Sequence, residues 1–327
     1  MTLVILKPGL LTTVQDLGRW GHQAEGVPVG GPMDPYAHRL ANHLVGNADT
    51  AATLELTLIG PEILFERDHV MAITGADLSP AIDDRPLPMR TVSAVGKGQR
   101  LRFGGRREGT RAYLALAGGI ETIPVFGSRA TQLVSGMGGV EGRALRAGDR
   151  LPVGVPSEPP IPGRTLPPVV PLPAGGADLR IIPGPEAETC AEMLQSIASH
   201  TFTISSTSDR MAYRLETCRP ESDVRRPRPT SLSEVRGPES EVRGQVSVEI
   251  ISDATPLGTV QLPPSGQPMI LMADRQTCGG YPRIATVIAA DLARAGQLAP
   301  GDWVRFHRCT LAEAMAALIE QERVFVR

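Results

Sequence analysis

Short apolar runs, separated by Gly, Pro and Asp residues, recur along most of the chain. Between residues 53 and 103 they read TLELTLIG, EILFE, VMAITGAD, TVSAVGKG and QRLRFGG, and RAYLALAG follows at 111–118. Their lengths and their mixture of apolar and polar positions are typical of strands in a β-sandwich or β-barrel. A hairpin, LRAGDRLPV at 145–153, ends this region. The first half of the chain is therefore predicted to be β-rich.

One helix interrupts the strands near the amino terminus. Asp34 is a strong N-cap residue, Pro35 fits the first helical position, and Gly46 closes the segment. His38 and His43 lie about 140° apart around such a helix and cannot share a face to bind a metal ion. We expect both histidines to be surface or capping residues.

The second half continues the mixture of strands and short helices. Strands are predicted at 179–182 (LRII) and from Phe202 (FTISS), with a helix between them that begins near Pro185. The apolar runs PMILM at 268–272 and IATVIAA at 284–290 have the length of buried strands, although the second could equally be a short helix.

The carboxyl-terminal pattern is a strand, WVRF, followed by an amphipathic helix. A Thr310–Glu313 capping box opens this helix. Its predicted apolar face consists of Leu311, Met315, Leu318 and Ile319.

Two segments lack periodic apolar positions. Residues 154–176 are dense in proline and are predicted to form an extended linker. Residues 219–245 are rich in Arg, Pro, Glu and Ser and contain EVRG twice, so we expect a mobile insertion. The predicted organisation is one β-rich domain at 1–153 and a second at 177–327.

An internal repeat supports this division. Three short matches occur in the same order in both halves: Asp34-x-x-Ala37-x-Arg39-Leu40 with Asp209-x-x-Ala212-x-Arg214-Leu215, Ala76-Asp77 with Ala273-Asp274, and Gly98-x-x-x-Arg102-Phe103 with Gly301-x-x-x-Arg305-Phe306. Together they indicate two copies of one unit, with a ligand site in the cleft between them. The competing interpretation is turn chemistry that any β protein could share.

Candidate chemistry is concentrated in ADRQTCGGYP, at residues 273–282, between the two apolar runs of the second half. Loops anchored by core segments are where binding and catalytic groups concentrate, and adjacent glycines let a ligand approach the backbone. The alternative is a tight turn in which Asp274 and Arg275 satisfy one another. The convergence of Arg275, Gln276, Thr277 and Tyr281 on one loop favours function.

Composition excludes several classes of protein. The formal net charge is −2 and aromatic residues make up 4% of the chain, which argues against a nucleic-acid partner. The four cysteines form no close pair, so neither a disulfide framework nor a metal site is expected. The sequence shows no secretory signal and no apolar run of about 20 residues, so we expect a soluble, cytoplasmic protein with no membrane partner.

Several segments resemble a known family. They are PGLLTTVQDLGRWG (8–21), GVPVGGPMD (26–34), SDRMAYRL (208–215), ADRQTCGGYPRIATVIAADL (273–292) and PGDWVRF (300–306). In that order they resemble the biotin-dependent carboxyltransferase family, also called the allophanate hydrolase subunit 2 domain family, which includes the C component of 5-oxoprolinase. The resemblance extends over nearly the whole chain. It departs at Ala212, where the family usually has glycine, and at the 219–245 insertion.

The resemblance implies a mostly β fold of two tandem cyclophilin-like β-barrels with a few short helices. It also implies a partner of the subunit-1 type, similar to the B component of 5-oxoprolinase, and often a third component of the LamB/YcsF type. The implied reaction is the ATP-dependent opening of a cyclic amide, 5-oxo-L-proline, to L-glutamate, ADP and phosphate. Related domains in urea carboxylase instead pass a carboxyl group from carboxybiotin to urea.

Both reactions need hydrogen-bond donors for a developing oxyanion and a cation for a carboxylate or phosphate. The predicted catalytic residues are Arg275, Gln276, Thr277 and Tyr281. The predicted substrate-binding residues are Asp274, Gly279, Gly280, Pro282, Asp209 and Arg210, with a helix N-cap as the alternative role of Asp209. Asp16, Arg19 and Asp34 are predicted to reach in from the first domain or toward a partner.

The chain has no Walker A motif, no G-x-G-x-x-G after a strand and no G-x-S-x-G. The implied ATP is therefore expected at a site of another kind or on another protein of the complex. The chain also lacks a biotinyl-acceptor motif, so in the carboxyltransferase alternative biotin is carried by another protein. A third alternative is a non-catalytic regulator that binds a kinase-inhibitor-like partner.

Overall fold

The computed structural model describes residues 2–167, 170–218 and 251–326. The described strands of the first half are β1 (Thr2–Lys7), β2 (Leu11–Gln15), β3 (Thr53–Thr57), β4 (Glu62–Phe65), β5 (His69–Asp77), β6 (Pro80–Ile82), β7 (Arg85–Pro86), β8 (Ser93–Val95), β9 (Arg100–Phe103), β10 (Glu108–Leu116) and β11 (Arg150–Pro152). Those of the second half are β12 (Gly176–Pro183), β13 (Thr201–Ile204), β14 (Ala212–Thr217), β15 (Asp253–Ala254), β16 (Thr259–Gln261), β17 (Met269–Leu271), β18 (Cys278–Gly279), β19 (Arg283–Val287) and β20 (Trp303–Arg308). The described α-helices are α1 (Pro35–Leu44), α2 (Ala191–Ser199), α3 (Ala289–Gly296) and α4 (Leu311–Glu322).

Two antiparallel sheets form the first half. Their strand orders are β11-β1-β4-β9-β6-β7 and β2-β3-β10-β5-β8. Alternate side chains of facing strands fill one shared core, which includes Leu3 and Phe65 from one sheet and Leu54 and Leu114 from the other.

A closed barrel forms most of the second half. Its order is β12-β19-β16-β17-β14-β13-β20, and the parallel pair β12–β20 closes the ring. Its core includes Leu179, Ile181, Phe202 and Phe306, each at most 1% exposed. A separate two-stranded ribbon, β15–β18, carries the end of the 273–282 loop outside the ring.

The two halves contact each other through helices. Helix α1 packs on β5 and β10 of the first half and also touches α3 of the second. Tyr36 and Leu40 of α1 share a small apolar cluster with Ala293 of α3. The cleft between the halves is therefore bounded by α1, α3 and the loops beside them.

The mostly β fold with a few short helices is confirmed. Helix α1 begins at Pro35, and the Asp34 side chain accepts a hydrogen bond from the Ala37 amide, as an N-cap residue does. The Thr310–Glu313 capping box is also present at the start of α4. The boundaries of the two domains stay a prediction, and the 219–245 insertion lies outside the described residues.

Other expectations differ from the structure in detail. The helix expected near Pro185 begins at Ala191. The run at 284–290 is both a strand and the start of a helix, because β19 ends at Val287 and α3 begins at Ala289. The first repeat match joins unlike structures, since its early copy lies in α1 and its late copy in β14. The apolar face of α4 is largely solvent-exposed at Leu311, Met315 and Ile319.

The surface position expected for His38 is also wrong, because this side chain is fully buried. Its Nδ1 lies 2.9 Å from the Thr53 hydroxyl oxygen, and its Nε2 lies 3.0 Å from the Asp49 carbonyl oxygen. Burial lowers the pKa of His38 to about 4, so the ring is neutral near pH 7. A helical wheel alone does not reveal that this face of α1 packs on the first half.

Within the described residues, no helix combines the length and the apolar character that a bilayer crossing requires.

Candidate functional site

A buried ionic network joins the two halves beneath the cleft. Arg210, just before β14, donates through Nε and Nη2 to the two carboxylate oxygens of Asp274, at 3.0 and 3.1 Å. Its Nη1 donates to Glu55 of β3, and its Nη2 also donates to the Gly31 carbonyl at 2.6 Å. The three charged side chains are at most 6% exposed. Asp274 is therefore paired with Arg210 and not with its neighbour Arg275.

The network places one guanidinium between two carboxylates in a region with little access to water. Burial opposes the charge on Arg210, but Asp274 and Glu55 outweigh burial and raise the pKa of Arg210. Burial raises the pKa of the Asp274 carboxyl, and Arg210 opposes that shift. The network holds the start of the 273–282 loop against the first half of the chain.

A second set of buried hydrogen bonds extends the network toward α1. The Tyr113 hydroxyl donates to Glu55 at 2.7 Å and accepts from the Asp34 amide at 2.8 Å. The Asp34 carboxylate accepts from Gln297 Nε2 at 2.7 Å, and Gln297 is in the second half. Asp34 thus contacts the residue that follows α3 in the second half.

Asp34 makes stability depend on pH. Burial raises the pKa of its carboxyl from 3.8 to about 6, against the opposing hydrogen bonds. Because folding raises this pKa, protonated Asp34 contributes fully to the free energy of unfolding below about pH 4. This contribution is lost as pH rises through about 6, and the total loss is up to about 3 kcal/mol. In urea unfolding between pH 4 and 7, Asp34→Asn should gain stability relative to the wild type as pH rises.

The matched control for this experiment is Asp84→Asn, which changes an exposed aspartate of the first half. Its stability difference from the wild type should stay flat over the same pH range. An equally flat difference for Asp34→Asn would show that the Asp34 carboxyl does not drive the pH dependence.

Arg275 is buried at the boundary of the two halves. Its Nε donates to the Thr255 carbonyl at 2.7 Å and its Nη1 to the Met272 carbonyl at 3.4 Å. Desolvation lowers the pKa of Arg275 to about 10, and Asp274 offsets this only in part. The side chain is thus a cation near pH 7 whose charge is incompletely compensated by described residues.

This guanidinium lines a cavity of about 250 Å³ between the halves, here called the interface cavity. Trp20, Gln23 and Val29 contribute its first-half wall. The second-half wall is formed by residues 254–257 and by Arg275, Gln276 and Thr277. A positive charge in a small, partly apolar hollow suits a carboxylate, a phosphate or a developing oxyanion.

The far end of the loop faces another hollow. A cavity of about 310 Å³ lies against the outer face of the barrel at β14, β16 and β17, here called the barrel-side cavity. Tyr281, Gln276 and Asp209 are among its lining residues, and Tyr281 is 43% exposed. Gln276 lines both cavities, so the loop separates two neighbouring spaces instead of facing one.

Gly279 lies where the two cavities approach each other. A β-carbon at this position would lie 2.9 Å from Gln261 Nε2, 3.2 Å from Gln276 Nε2 and 3.2 Å from the Thr255 methyl carbon. The absence of a side chain therefore lets two amide side chains pack against the loop. Gly280 is less crowded, since a β-carbon there would meet only the Ser252 hydroxyl at 3.5 Å.

Asp16 and Arg19 come from the first half and are both buried. The Asp16 carboxylate accepts hydrogen bonds from the Gly18 amide at 2.9 Å and from the Ser128 hydroxyl and the Arg129 amide at 2.5 Å each. Arg19 donates to the carbonyls of Ala130 and Val125, which orders the loop beside the interface cavity. Neither residue lines that cavity, whereas the adjoining chain places Trp20 on its rim.

The structure thus places the predicted site residues in several different surroundings. Arg275 and Thr277 line the interface cavity, Tyr281 and Asp209 line the barrel-side cavity, and Gln276 lines both. Asp274 and Arg210 belong to the ionic network, and Asp16, Arg19 and Asp34 order the first-half side. Pro282 is buried behind the loop. Asp209 Oδ1 accepts from the Met211 and Ala212 amides ahead of a strand, so it caps a turn and not a helix.

Glu55, Thr255, Gln261 and Gln297 were not predicted. Glu55 had one sequence signal, since it is a charged residue between two leucines of a buried strand, TLELT. The other three give no local signal, because their partners are distant in the chain. Within the described residues, no group of three His, Cys, Asp or Glu side chains is placed to hold a metal ion.

Several known proteins are similar to this chain. A family model described as "Carboxyltransferase domain, subdomain A and B" matches residues 25–308. The chain is 37% identical to the 5-oxoprolinase C component of Escherichia coli, over 99% of this chain and 96% of that protein. The crystal structure of K. lactis urea amidolyase superposes with a TM-score of 0.83 and 28% identity, over 99% of this chain and 20% of that one.

A further solved structure, of the protein TTHA0988, has a TM-score of 0.76 and 34% identity. It matches 94% of this chain, and this chain spans about half of it, 55%. The same fold therefore occurs both in proteins of about this length and as part of longer chains.

Proposed function

This chain belongs to the carboxyltransferase domain family, subdomains A and B, and on that premise we propose that it is one component of an ATP-dependent 5-oxoprolinase. The proposed reaction opens 5-oxo-L-proline with ATP and water to give L-glutamate, ADP and phosphate. One observation carries this choice: the chain matches 96% of the E. coli 5-oxoprolinase C component but only 20% of the K. lactis urea amidolyase chain.

The 273–282 loop supports chemistry at an amide carbonyl. Arg275 supplies a buried cation, and the Gln276 amide and Thr277 hydroxyl lie on the same wall of the interface cavity. In a site sheltered from water, such groups stabilise negative charge on a carbonyl oxygen more strongly than they would in bulk solvent. The ionic network beneath holds the loop in place, so that these donors are oriented before the substrate arrives.

Three cavities of the described chain do not fit ATP by themselves. The interface and barrel-side cavities, of about 250 and 310 Å³, are at or below the lower end of the range for drug-sized ligands, about 300–1,000 Å³. A larger cavity of about 610 Å³ near His69 has no lysine or arginine in its lining. The glycine-rich stretch before α1 leads to a helix end that Asp34 already caps. We therefore propose that ATP is held mainly by a partner.

The rim of the interface cavity supports such a partnership. Trp20 is 62% exposed there, and exposed tryptophans are enriched where proteins bind other proteins. We propose that a partner of the subunit-1 type, similar to the 5-oxoprolinase B component, covers this rim and that a LamB/YcsF-type component completes the enzyme. We also place the complex in the cytoplasm, since none of the four cysteines forms a disulfide.

The test is reconstitution of the chain with candidate B-like and LamB/YcsF-type components. The full mixture should release glutamate and ADP in equal amounts from 5-oxoproline, and omission of this chain should abolish the release. Avidin, which sequesters biotin, should have no effect on the rate.

The related fold of urea amidolyase defines the main alternative. Urea-dependent ATP consumption that avidin blocks, without glutamate release, would replace the proposal by carboxyl transfer from biotin on another protein. A stable complex that turns over neither substrate would indicate a non-catalytic regulator.

A further inference from the structure

A further cavity, of about 310 Å³, lies beside α1 and α3 and is here called the helix-junction cavity. Tyr36 and Leu40 of α1 and Ala293 of α3 are among its apolar lining residues. It shares no lining residue with the interface cavity or with the barrel-side cavity. The chemistry proposed for the 273–282 loop therefore does not account for it.

Two arginines, one from each half of the chain, line the helix-junction cavity. Arg90 lies between β7 and β8, and Arg294 lies in α3. Both residues are half-buried, so each has part of its surface open to the cavity. Within the described residues, neither guanidinium has a carboxylate at salt-bridge distance. Two positive charges thus face one small space without a counter-charge bonded to either.

Most N–H groups of these guanidiniums also have no acceptor in the part of the chain that the structure describes. Arg294 donates through Nη1 to the Asp178 carbonyl at 3.1 Å. The Arg90 side chain makes no hydrogen bond there; its Nε is buried, whereas its two Nη atoms are not. The Nη atoms are therefore the donors that a ligand in the cavity can reach. The planar fork of a guanidinium matches the two oxygens of a carboxylate.

The backbone holds Arg90 in an unfavourable conformation at the cavity wall. Its φ is +54°, in the left-handed region that residues with a β-carbon rarely adopt. The Arg90 amide donates to the Ile73 carbonyl at 2.8 Å, and its carbonyl accepts from the Leu166 amide at 3.1 Å. These bonds keep the residue in place against the strain. Strained positions of this kind cluster at ligand sites.

Two carboxylates line the cavity as well, but neither is paired with an arginine. Asp34 is buried and accepts from the Ala37 amide at 2.9 Å and from Gln297 Nε2 at 2.7 Å. Glu108 is exposed, so solvent screens its charge. The guanidiniums of the two arginines therefore remain the accessible charged groups that can bond an anion directly.

We propose that the helix-junction cavity binds a short dicarboxylate, with one carboxylate at Arg90 and the other at Arg294. Two charged ends match two guanidiniums, and the carbon chain between them matches the apolar lining. A volume of about 310 Å³ is at the lower end of the range for drug-sized ligands, which suits a molecule of this size and not a nucleoside triphosphate. Because the two arginines belong to different halves, the bound ligand joins the halves.

The test compares glutarate, a short dicarboxylate, with glutaramide, in which amides of similar shape replace both carboxylates. Binding to the full chain is measured by calorimetry at one ionic strength. Glutarate should bind with a Kd below about 1 mM and about tenfold or more tighter than glutaramide, because only carboxylates form charge-assisted bonds with a guanidinium. Glutarate should also raise the urea concentration at the midpoint of unfolding.

Three variants locate the binding site. Arg90→Met and Arg294→Met should each weaken glutarate binding by about 10- to 100-fold, because each removes one charge-assisted pair. The matched control is Arg308→Met, which removes an exposed arginine outside the cavity lining and should bind glutarate as the wild type does. If one of the cavity variants does not fold, the comparison of the two ligands on the wild type remains decisive.

The inference is overturned if the wild type binds glutarate no tighter than glutaramide or if either cavity variant binds glutarate as the wild type does. It is also overturned if Arg308→Met weakens binding as much as the cavity variants, or if inorganic phosphate binds and glutarate does not. These measurements need neither the proposed partners nor 5-oxoproline. Their outcome is therefore independent of the proposed reaction.

Discussion

Replacing Arg210 with methionine should lower the free energy of unfolding by about 3–5 kcal/mol near pH 7. Arg210 is the only described cation bonded to both Glu55 and Asp274, whose side chains are at most 2% exposed. Methionine keeps much of the side-chain volume but removes the cation that is bonded to these two buried carboxylates. Urea unfolding of the full chain measures the effect. The loss should shrink as pH falls, because protonation neutralises the carboxylates.

Arg305→Met is the matched control for Arg210→Met. Arg305 also pairs with an aspartate, at 2.9 Å to Asp178, but this pair is on the surface and about half exposed. Solvent screening limits such a pair to about 0–1 kcal/mol. If the two variants lost similar amounts of stability, the Arg210 network would not be the buried connection between the halves that its geometry indicates.

Arg275→Met should lower kcat/KM of the reconstituted complex for 5-oxoproline by about 100- to 1,000-fold. Losses of this size follow removal of one group that stabilises developing negative charge in a sheltered site. Arg275→Lys should recover only part of the activity. Lysine keeps a charge, but it cannot donate to the Thr255 carbonyl and to a ligand with the planar geometry of a guanidinium.

The control for Arg275 is Arg308→Met, which removes an exposed cation of β20 farther along the same half. It should retain turnover close to that of the wild type. Unfolding of Arg275→Met should also be measured, since a folded variant with normal turnover would remove the 273–282 loop from the mechanism.

Local sequence patterns were sufficient to predict most strands and the starts of two helices. The period-two runs located most strands, and the side chains of Asp34 and Thr310 located the starts of α1 and α4. These signals depend on residues within one turn or one strand of each other, so they can be recognised in the sequence without knowledge of tertiary contacts. The resemblance carried by motifs such as QDLGRWG and DRQTCGGYP also identified the family before any contact was known.

The sequence predicts where in the chain the candidate site lies but not how its side chains are arranged. The loop at 273–282 could be singled out because polar groups and paired glycines stand between two apolar runs. The sequence does not show that this loop lines two separate cavities, because this depends on how β15 and β18 carry the loop past the barrel. Helix α4 illustrates the same limit, because its apolar period gives no information on whether a neighbour covers that face.

Residue patterns alone predict a mostly β chain, the capped helices and the loop that carries the candidate chemistry. They do not predict that Asp274 pairs with Arg210 and not Arg275, or that Glu55 joins Arg210 from 155 residues away. A buried charge is stabilised by whichever opposite charge the fold brings within hydrogen-bond distance. That choice depends on the approach of two β-rich halves, which no local period encodes.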